Sequence, residues 1–239
     1  RKDLIDFEGL IDKSLEERRT VTITDEQEKI ILSEAKKLSY APRLFSLIIA
    51  LRDTGARPNE LYPVNDYESN YSGDGKTFFE PLRWRDIFDE NQNIKDITRL
   101  ISYKGKIREE RLCVITERMK TAFLELWNYL SEEKRAKRLI PEHRAELNNL
   151  IFPETSFKKS WDKIREKTGL TDLRLRDLRR DWSSRLARLG FSDRLAQRGM
   201  GHKQMQQTFE YTEFNLEAAM LAKKMLDVDN IIEFKTENN

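Results

Sequence analysis

Gly199-Met200-Gly201-His202-Lys203-Gln204-Met205-Gln206-Gln207-Thr208-Phe209-Glu210-Tyr211-Thr212 places a histidine behind a glycine and a tyrosine nine positions further on. Two arginine-bearing segments precede it, Thr54-Gly55-Ala56-Arg57-Pro58-Asn59-Glu60-Leu61 and Leu175-Arg176-Asp177-Leu178-Arg179-Arg180. Lys104-Gly105-Lys106 lies between them, with a lysine on either side of a glycine. A guanidinium offers a planar fork to two phosphate oxygens, which an ammonium point charge matches less well. A phenol attacks phosphorus at neutral pH only when neighbouring positive charge or a base activates it. Together these residues equip a chain to grip one phosphodiester and attack it.

The composition is compatible with that chemistry without demanding it. A chain of 239 residues holds one large domain or a domain with tails. Charged residues make up 36% and hydrophobic ones 38%, enough for a core beneath a heavily solvated surface. No run approaches the roughly 18 apolar residues of a membrane span, and the start is not a signal peptide. Cys113 is the one cysteine, which excludes an internal disulfide and suits a reducing compartment. The first residue is Arg1 rather than methionine, so the chain is expected to be a fragment. Net charge is only +2, but residues 98–120 and 171–211 each carry +4 while 212–239 carry −3. Solvated helix faces account for charge of this kind equally well. Its coincidence with the arginine and lysine segments is what points to a phosphate-binding face. One cysteine and two histidines without ligand-like spacing form no metal cluster, and Gly73 and Gly75 precede no phosphate-loop lysine. No metal and no cofactor are expected.

Periodicity predicts a mainly α fold with one small antiparallel β-sheet. Residues 1–19 read as a linker or loosely docked helix. Thr24 and Gln27 form a capping box ahead of Ile30, Ile31, Ala35 and Leu38 on one helical face. A more apolar helix runs from Pro42 to Gly55 and delivers Arg57 just beyond its glycine stop. Residues 62–81 are turn-rich. Strands are expected near 97–103 and 108–115 with Lys104-Gly105-Lys106 at their turn. Helices follow near 117–130, 132–149, 155–168, 177–189, 193–199, 204–209 and 216–226. Leu178, Trp182 and Leu186 make an apolar stripe, with Arg179 at its border.

Taken in order, Thr54-Gly55-Ala56-Arg57, Glu60-Leu61, Lys104 in a hairpin turn, Asp177-Leu178-Arg179, Gly201-His202 and Tyr211 resemble the catalytic domain of tyrosine recombinases, the phage-integrase family. The resemblance covers roughly residues 24–226. It implies site-specific cutting and rejoining of DNA strands through a covalent 3′-phosphotyrosine, without metal or nucleotide. On this reading 1–23 is a linker or N-terminal extension, 24–226 the catalytic domain and 227–239 a C-terminal tail.

The resemblance assigns roles residue by residue. Arg57, Arg176 and Arg179 hold the scissile phosphate, and Glu60 supports Arg57. Lys104, with Lys106 as the alternative, protonates the leaving 5′-oxygen. His202 donates to a phosphate oxygen and Tyr211 is the nucleophile. Lys106, Arg108, Arg180 and Lys203 are the expected DNA-backbone contacts. Two departures stand out. The family pattern His-x-x-Arg reads Arg176-x-x-Arg179 here, and arginine does not serve as a base at neutral pH. About twenty residues, Tyr62 to Pro81, are also inserted where the family is short. The implied partners are double-stranded DNA, an N-terminal DNA-binding domain outside this chain, and three further copies in a tetramer on synapsed DNA. Without DNA a monomer or weak oligomer is expected. The implied setting is the cytoplasm, for a bacterial or phage-encoded protein that is nucleoid-associated when on DNA. A type IB topoisomerase-like enzyme, or a DNA-binding protein that has lost catalysis, are the alternatives. The helix around Leu216, Ala219, Met220 and Met225 either packs at home or docks on a neighbour.

Overall fold

The first helix begins where its capping box places it. In the computed structural model, which describes residues 22–63, 80–104, 107–192, 195–196, 199–200 and 216–235, Thr24 accepts a hydrogen bond from the Gln27 amide at 3.2 Å and donates its own amide to the Gln27 side chain at 3.0 Å. Helix α1 (Asp25–Lys36) follows. Helix α2 (Pro42–Thr54) starts with Pro42, whose missing N–H costs nothing in the first turn. It ends at Gly55, in the left-handed region at φ 58°. Almost all of α2 is buried: Leu44, Leu47, Ile48, Ile49 and Leu51 join the core, and Arg43, Arg52 and Asp53 are buried with hydrogen-bonded partners. It packs against α5 (Glu117–Ser131) and α8 (Leu175–Arg188) and forms the axis of the fold.

Short elements α3 (Pro58–Leu61) and α4 (Trp84–Ile87) lead into a two-stranded antiparallel sheet of β1 (Ile97–Lys104) and β2 (Ile107–Val114). Its register pairs Leu100 with Arg111, Ser102 with Glu109 and Lys104 with Ile107. After α5 come α6 (Glu133–Ala136), a 3-10 turn (Pro141–His143), α7 (Lys158–Thr168), α8 and a final helix, α9 (Leu216–Lys235). The mainly helical architecture with one small antiparallel sheet matches the sequence reading.

Two expectations are corrected. Residues 132–149 do not form one helix. Pro141 disfavours helical geometry at the residue before it, and Ile140 is extended at φ −63°, ψ 150°. The segment beyond then pairs with the chain entering α4. Arg85 donates its amide to the Leu147 carbonyl at 2.9 Å, and Ile151 donates to Leu82 at 3.1 Å. The last helix continues to Lys235 instead of stopping near Leu226. The expected helix at 204–209, residues 64–79 of the insert expected at 62–81 and residues 1–19 lie outside the described residues, as does part of the helix expected at 193–199.

Helix α9 packs at home. Ala219, Ala222 and Leu226 join Val114, Trp182, Leu186, Phe191, Ala196 and Met200 in a second apolar cluster beside the main core. Its polar side is tied down as well: Asp229 accepts from Arg185 at 2.8 Å and 3.0 Å, and Lys223 donates to Glu117 and Asp227, each at 2.8 Å.

Beneath these layers lies a buried ionic network. Arg185 donates to Asp53 at 2.9 Å, Arg118 to Asp53 at 2.7 Å, and Arg52 to Asp181 at 2.7 Å and to Glu28. Arg52, Asp53 and Arg185 are fully buried, which is tolerable only because each charge is matched and hydrogen-bonded. The network joins α1, α2, α5, α8 and α9. It fixes where α8 sits relative to the end of α2.

Candidate active site

Arg57 stands at the junction of α2 and α3. Pro58 excludes the helical conformation for the residue before it, so Arg57 is extended at φ −72°, ψ 144° and serves as the N-cap of α3. Glu60, three residues on, accepts the Arg57 amide at 2.7 Å and its Nη1 at 3.3 Å. The same Nη1 reaches the Ser102 hydroxyl on β1 at 3.3 Å. The Arg57 side chain stays 35% exposed while Glu60 and Ser102 brace its guanidinium.

Glu60 itself is fully buried. Burial would raise its carboxyl, but the charge and hydrogen bonds of Arg111 outweigh that and hold it below the usual carboxylate range. Arg111 donates to Glu60 from Nη2 at 2.8 Å and from Nε at 3.3 Å, a two-pronged contact. It also donates to the Gly199 carbonyl at 2.5 Å and to the Gly55 carbonyl at 3.5 Å.

Arg179 arrives from the other side. Leu178, Trp182 and Leu186 are buried as a stripe on α8, and Arg179 lies half-buried at its border. Its guanidinium donates to the Gly55 carbonyl and, at 2.6 Å, to the Met200 carbonyl. Burial pushes its pKa down to about 9, and Arg111 and Arg57 push the same way while Glu60 opposes. It therefore remains charged at neutral pH in a field that is already positive. An anion here relieves that repulsion.

Arg57 and Arg179, from segments more than a hundred residues apart, thus meet around the turn that Gly55 makes. Gly55 is required twice over. Its φ is positive, and a Cβ built there would stand 3.0 Å from Trp182 Cδ2 and Cε3 and 3.1 Å from Met200 Cγ.

The other expected residues fall in several places. Arg176 is exposed on α8, one turn before Arg179, and Arg180 is exposed beside it. Lys104 ends β1, paired with Ile107. The Lys104 side chain, and Lys106, His202, Lys203 and Tyr211, lie outside the described residues. Arg108 is on the other pleat of the hairpin from Ser102 and Arg111, where it pairs with Glu80 at 3.0 Å and with Glu110. It thus lies on the opposite face of the strand from the residue that holds Glu60. Burial pushes the Cys113 thiol up to about 12, so it is no nucleophile at neutral pH.

The sequence reading overlooked Arg111 and Ser102, which it treated only as strand residues. One signal was available. Arg111 and Cys113 share strand parity, so an arginine sits on the inward side of β2 and needs a buried acid.

The phage integrase family model matches residues 80–217, more than half of the chain. No curated protein sequence matches. Among solved structures, the chain is similar to the XerA recombinase at 19% identity and a TM-score of 0.49, covering 88% of this chain and 66% of that one. It is similar to the Tn1549 transposon integrase in complex with transposon right end DNA at 15% identity and a TM-score of 0.51. That match covers 92% of this chain and 70% of the other. A second Tn1549 integrase structure, in complex with circular intermediate DNA, gives 15% identity and a TM-score of 0.50 over 92% of this chain and 68% of that one. The chain thus spans about two thirds of the length of these structures, and at such identities the likeness shows the fold. Among the described residues, no helix is long and apolar enough to cross a membrane.

Proposed function

Since the chain belongs to the phage integrase family, we propose that it is the catalytic part of a site-specific DNA recombinase working through a covalent 3′-phosphotyrosine. Convergence of Arg57 and Arg179 on one positive, anion-seeking centre carries this reading. Two guanidiniums braced from behind by Glu60, Gly55 and Met200 leave their charge directed at a phosphate that gains negative charge as it is attacked. Arg176, exposed one turn earlier on α8, adds a third cation along the duplex.

In this mechanism the Tyr211 phenol passes its proton to water, and its oxygen bonds to phosphorus as the bond to the 5′-oxygen breaks. Lys104 supplies the proton that the 5′-oxygen takes up, and His202 donates to a non-bridging oxygen. The phosphotyrosine keeps the energy of the phosphodiester, so a 5′-hydroxyl reverses the step without ATP. Double-stranded DNA is the proposed partner. Synapsis into a homotetramer, helped by a separate N-terminal DNA-binding domain, completes the reading.

The test uses the full-length protein and a nicked duplex bearing the sequence it selects from a random duplex pool. Cleavage beside the nick releases a short strand and traps protein on DNA. A denaturation-resistant adduct is expected from the wild type and none from Tyr211→Phe. An adduct that survives in Tyr211→Phe refutes the nucleophile. Tight, salt-sensitive binding with no adduct at all favours a DNA-binding protein without catalysis, the reading that Arg176 in place of histidine motivates.

A further inference from the structure

We infer that Arg111 is a positioning residue of this centre, joining the hairpin to both phosphate-gripping arginines and to the root of the segment that carries His202. This rests on the recombinase reading and adds a residue to it. Arg111 is only 10% exposed and uses its donors on three groups from two distant pieces of chain. Glu60 takes two of them, at 2.8 Å and 3.3 Å, and Glu60 in turn holds the Arg57 amide and guanidinium. The Gly55 carbonyl accepts another and also accepts from Arg179. The Gly199 carbonyl accepts at 2.5 Å, next to the Met200 carbonyl that Arg179 engages.

A strand residue therefore sets the relative position of two catalytic arginines through groups it shares with each. Its own guanidinium is turned inward and does not present itself to DNA, which separates it from Arg57. Moving β2 by a fraction of an ångström changes the Glu60 brace and the Gly55 carbonyl together.

A lysine at this position keeps a buried positive charge near Glu60 but cannot bridge a carboxylate and two carbonyls at once. Four full-length proteins are compared on the nicked duplex described above: wild type, Arg111→Lys, Arg111→Met and Arg111→Met/Glu60→Gln. Single-turnover cleavage, duplex affinity and thermal unfolding are measured for each.

A misplaced group of this kind slows cleavage by about 100-fold in Arg111→Met and about 10-fold in Arg111→Lys. Duplex affinity is expected to change little. If Arg111 acts through Glu60, the double variant is no slower than Arg111→Met. The pH profile supplies a readout that a purely structural role would not move. Glu60 faces Arg57 from its own turn, Arg111 from β2 and Arg179 from α8. Losing Arg111 removes the largest of the forces that keep Glu60 ionised. The acid limb of the cleavage profile then shifts to higher pH in Arg111→Met.

A folded Arg111→Lys that cleaves at the wild-type rate overturns the inference, and so does an additive loss in the double variant. Should Arg111→Met fail to fold, the rate and pH profile of Arg111→Lys decide alone. A wild type that gives no adduct overturns the recombinase reading first and this inference with it. A wild-type adduct with unaltered Arg111 variants overturns only the inference.

Discussion

Replacing Gly55 with alanine meets two separate penalties, and a control elsewhere in the chain divides them. At φ 58° a Cβ is strained, which costs about 1–2 kcal/mol for an L-residue in the left-handed region. The same Cβ stands 3.0 Å from two ring atoms of Trp182, which is 1% exposed and packed between α2 and α9. The indole is fully buried, and overpacking a core of this kind costs roughly 1–3 kcal/mol more. Gly169 ends α7 with the same handedness, at φ 72°, but nothing lies within 4 Å of its Cβ position. Gly169→Ala therefore reports the backbone strain by itself. With an extra cost of about 2 kcal/mol, Gly55→Ala melts about 4–8 °C below Gly169→Ala in thermal unfolding followed by circular dichroism. Equal melting temperatures for the two variants refute the close approach of Trp182. The Gly55 carbonyl also anchors Arg179 and Arg111, so adduct formation falls in Gly55→Ala even at temperatures where it is folded.

The buried network makes two further predictions. Asp53→Asn leaves Arg118 and Arg185 without their shared carboxylate and costs about 3–5 kcal/mol in urea unfolding. Burial raises the Asp53 carboxyl, but Arg118 and Arg185 more than reverse this and hold it far below its unfolded value of about 3.9. Its contribution is thus complete above about pH 4 and is lost as pH falls toward the folded-state value, so the wild type loses this stability in acid and Asp53→Asn lacks that part of the acid slope. Asp229→Asn weakens the tie between α9 and Arg185 and costs about 1–3 kcal/mol. Hydrogen exchange in 216–235 is expected to rise while α2 stays protected, and unchanged protection of α9 refutes the role given to that pair.

Local signals in the chain specified most elements because they are local in origin. Thr24 and Gln27 cap α1 through contacts three residues apart, and Pro42 and Gly55 bound α2 by their own backbone preferences. The family resemblance likewise singled out Arg57, Glu60 and Arg179. The apparent helix at 132–149 misled because its charged, helix-compatible residues gave no hint that 147–151 would pair with the chain around Arg83. That pairing joins residues more than sixty apart, and no periodicity reports it.

What the amino-acid order determined alone was the kind of groups present and the ends of the helices, since propensity, capping and turn chemistry act within a few residues. Tertiary structure decided which of the charges meet. Strand parity separates Arg111 from Arg108 in Ile107–Val114, but only the fold brings Glu60 to one and Glu80 to the other. Likewise, whether α9 folds onto its own domain depends on Ala219, Ala222 and Leu226 finding the surface made by Val114 and Trp182, and on Asp229 finding Arg185. Burial and the pairing of charges across distant segments are properties of the assembled chain, and they govern how two arginines come to stand around one turn.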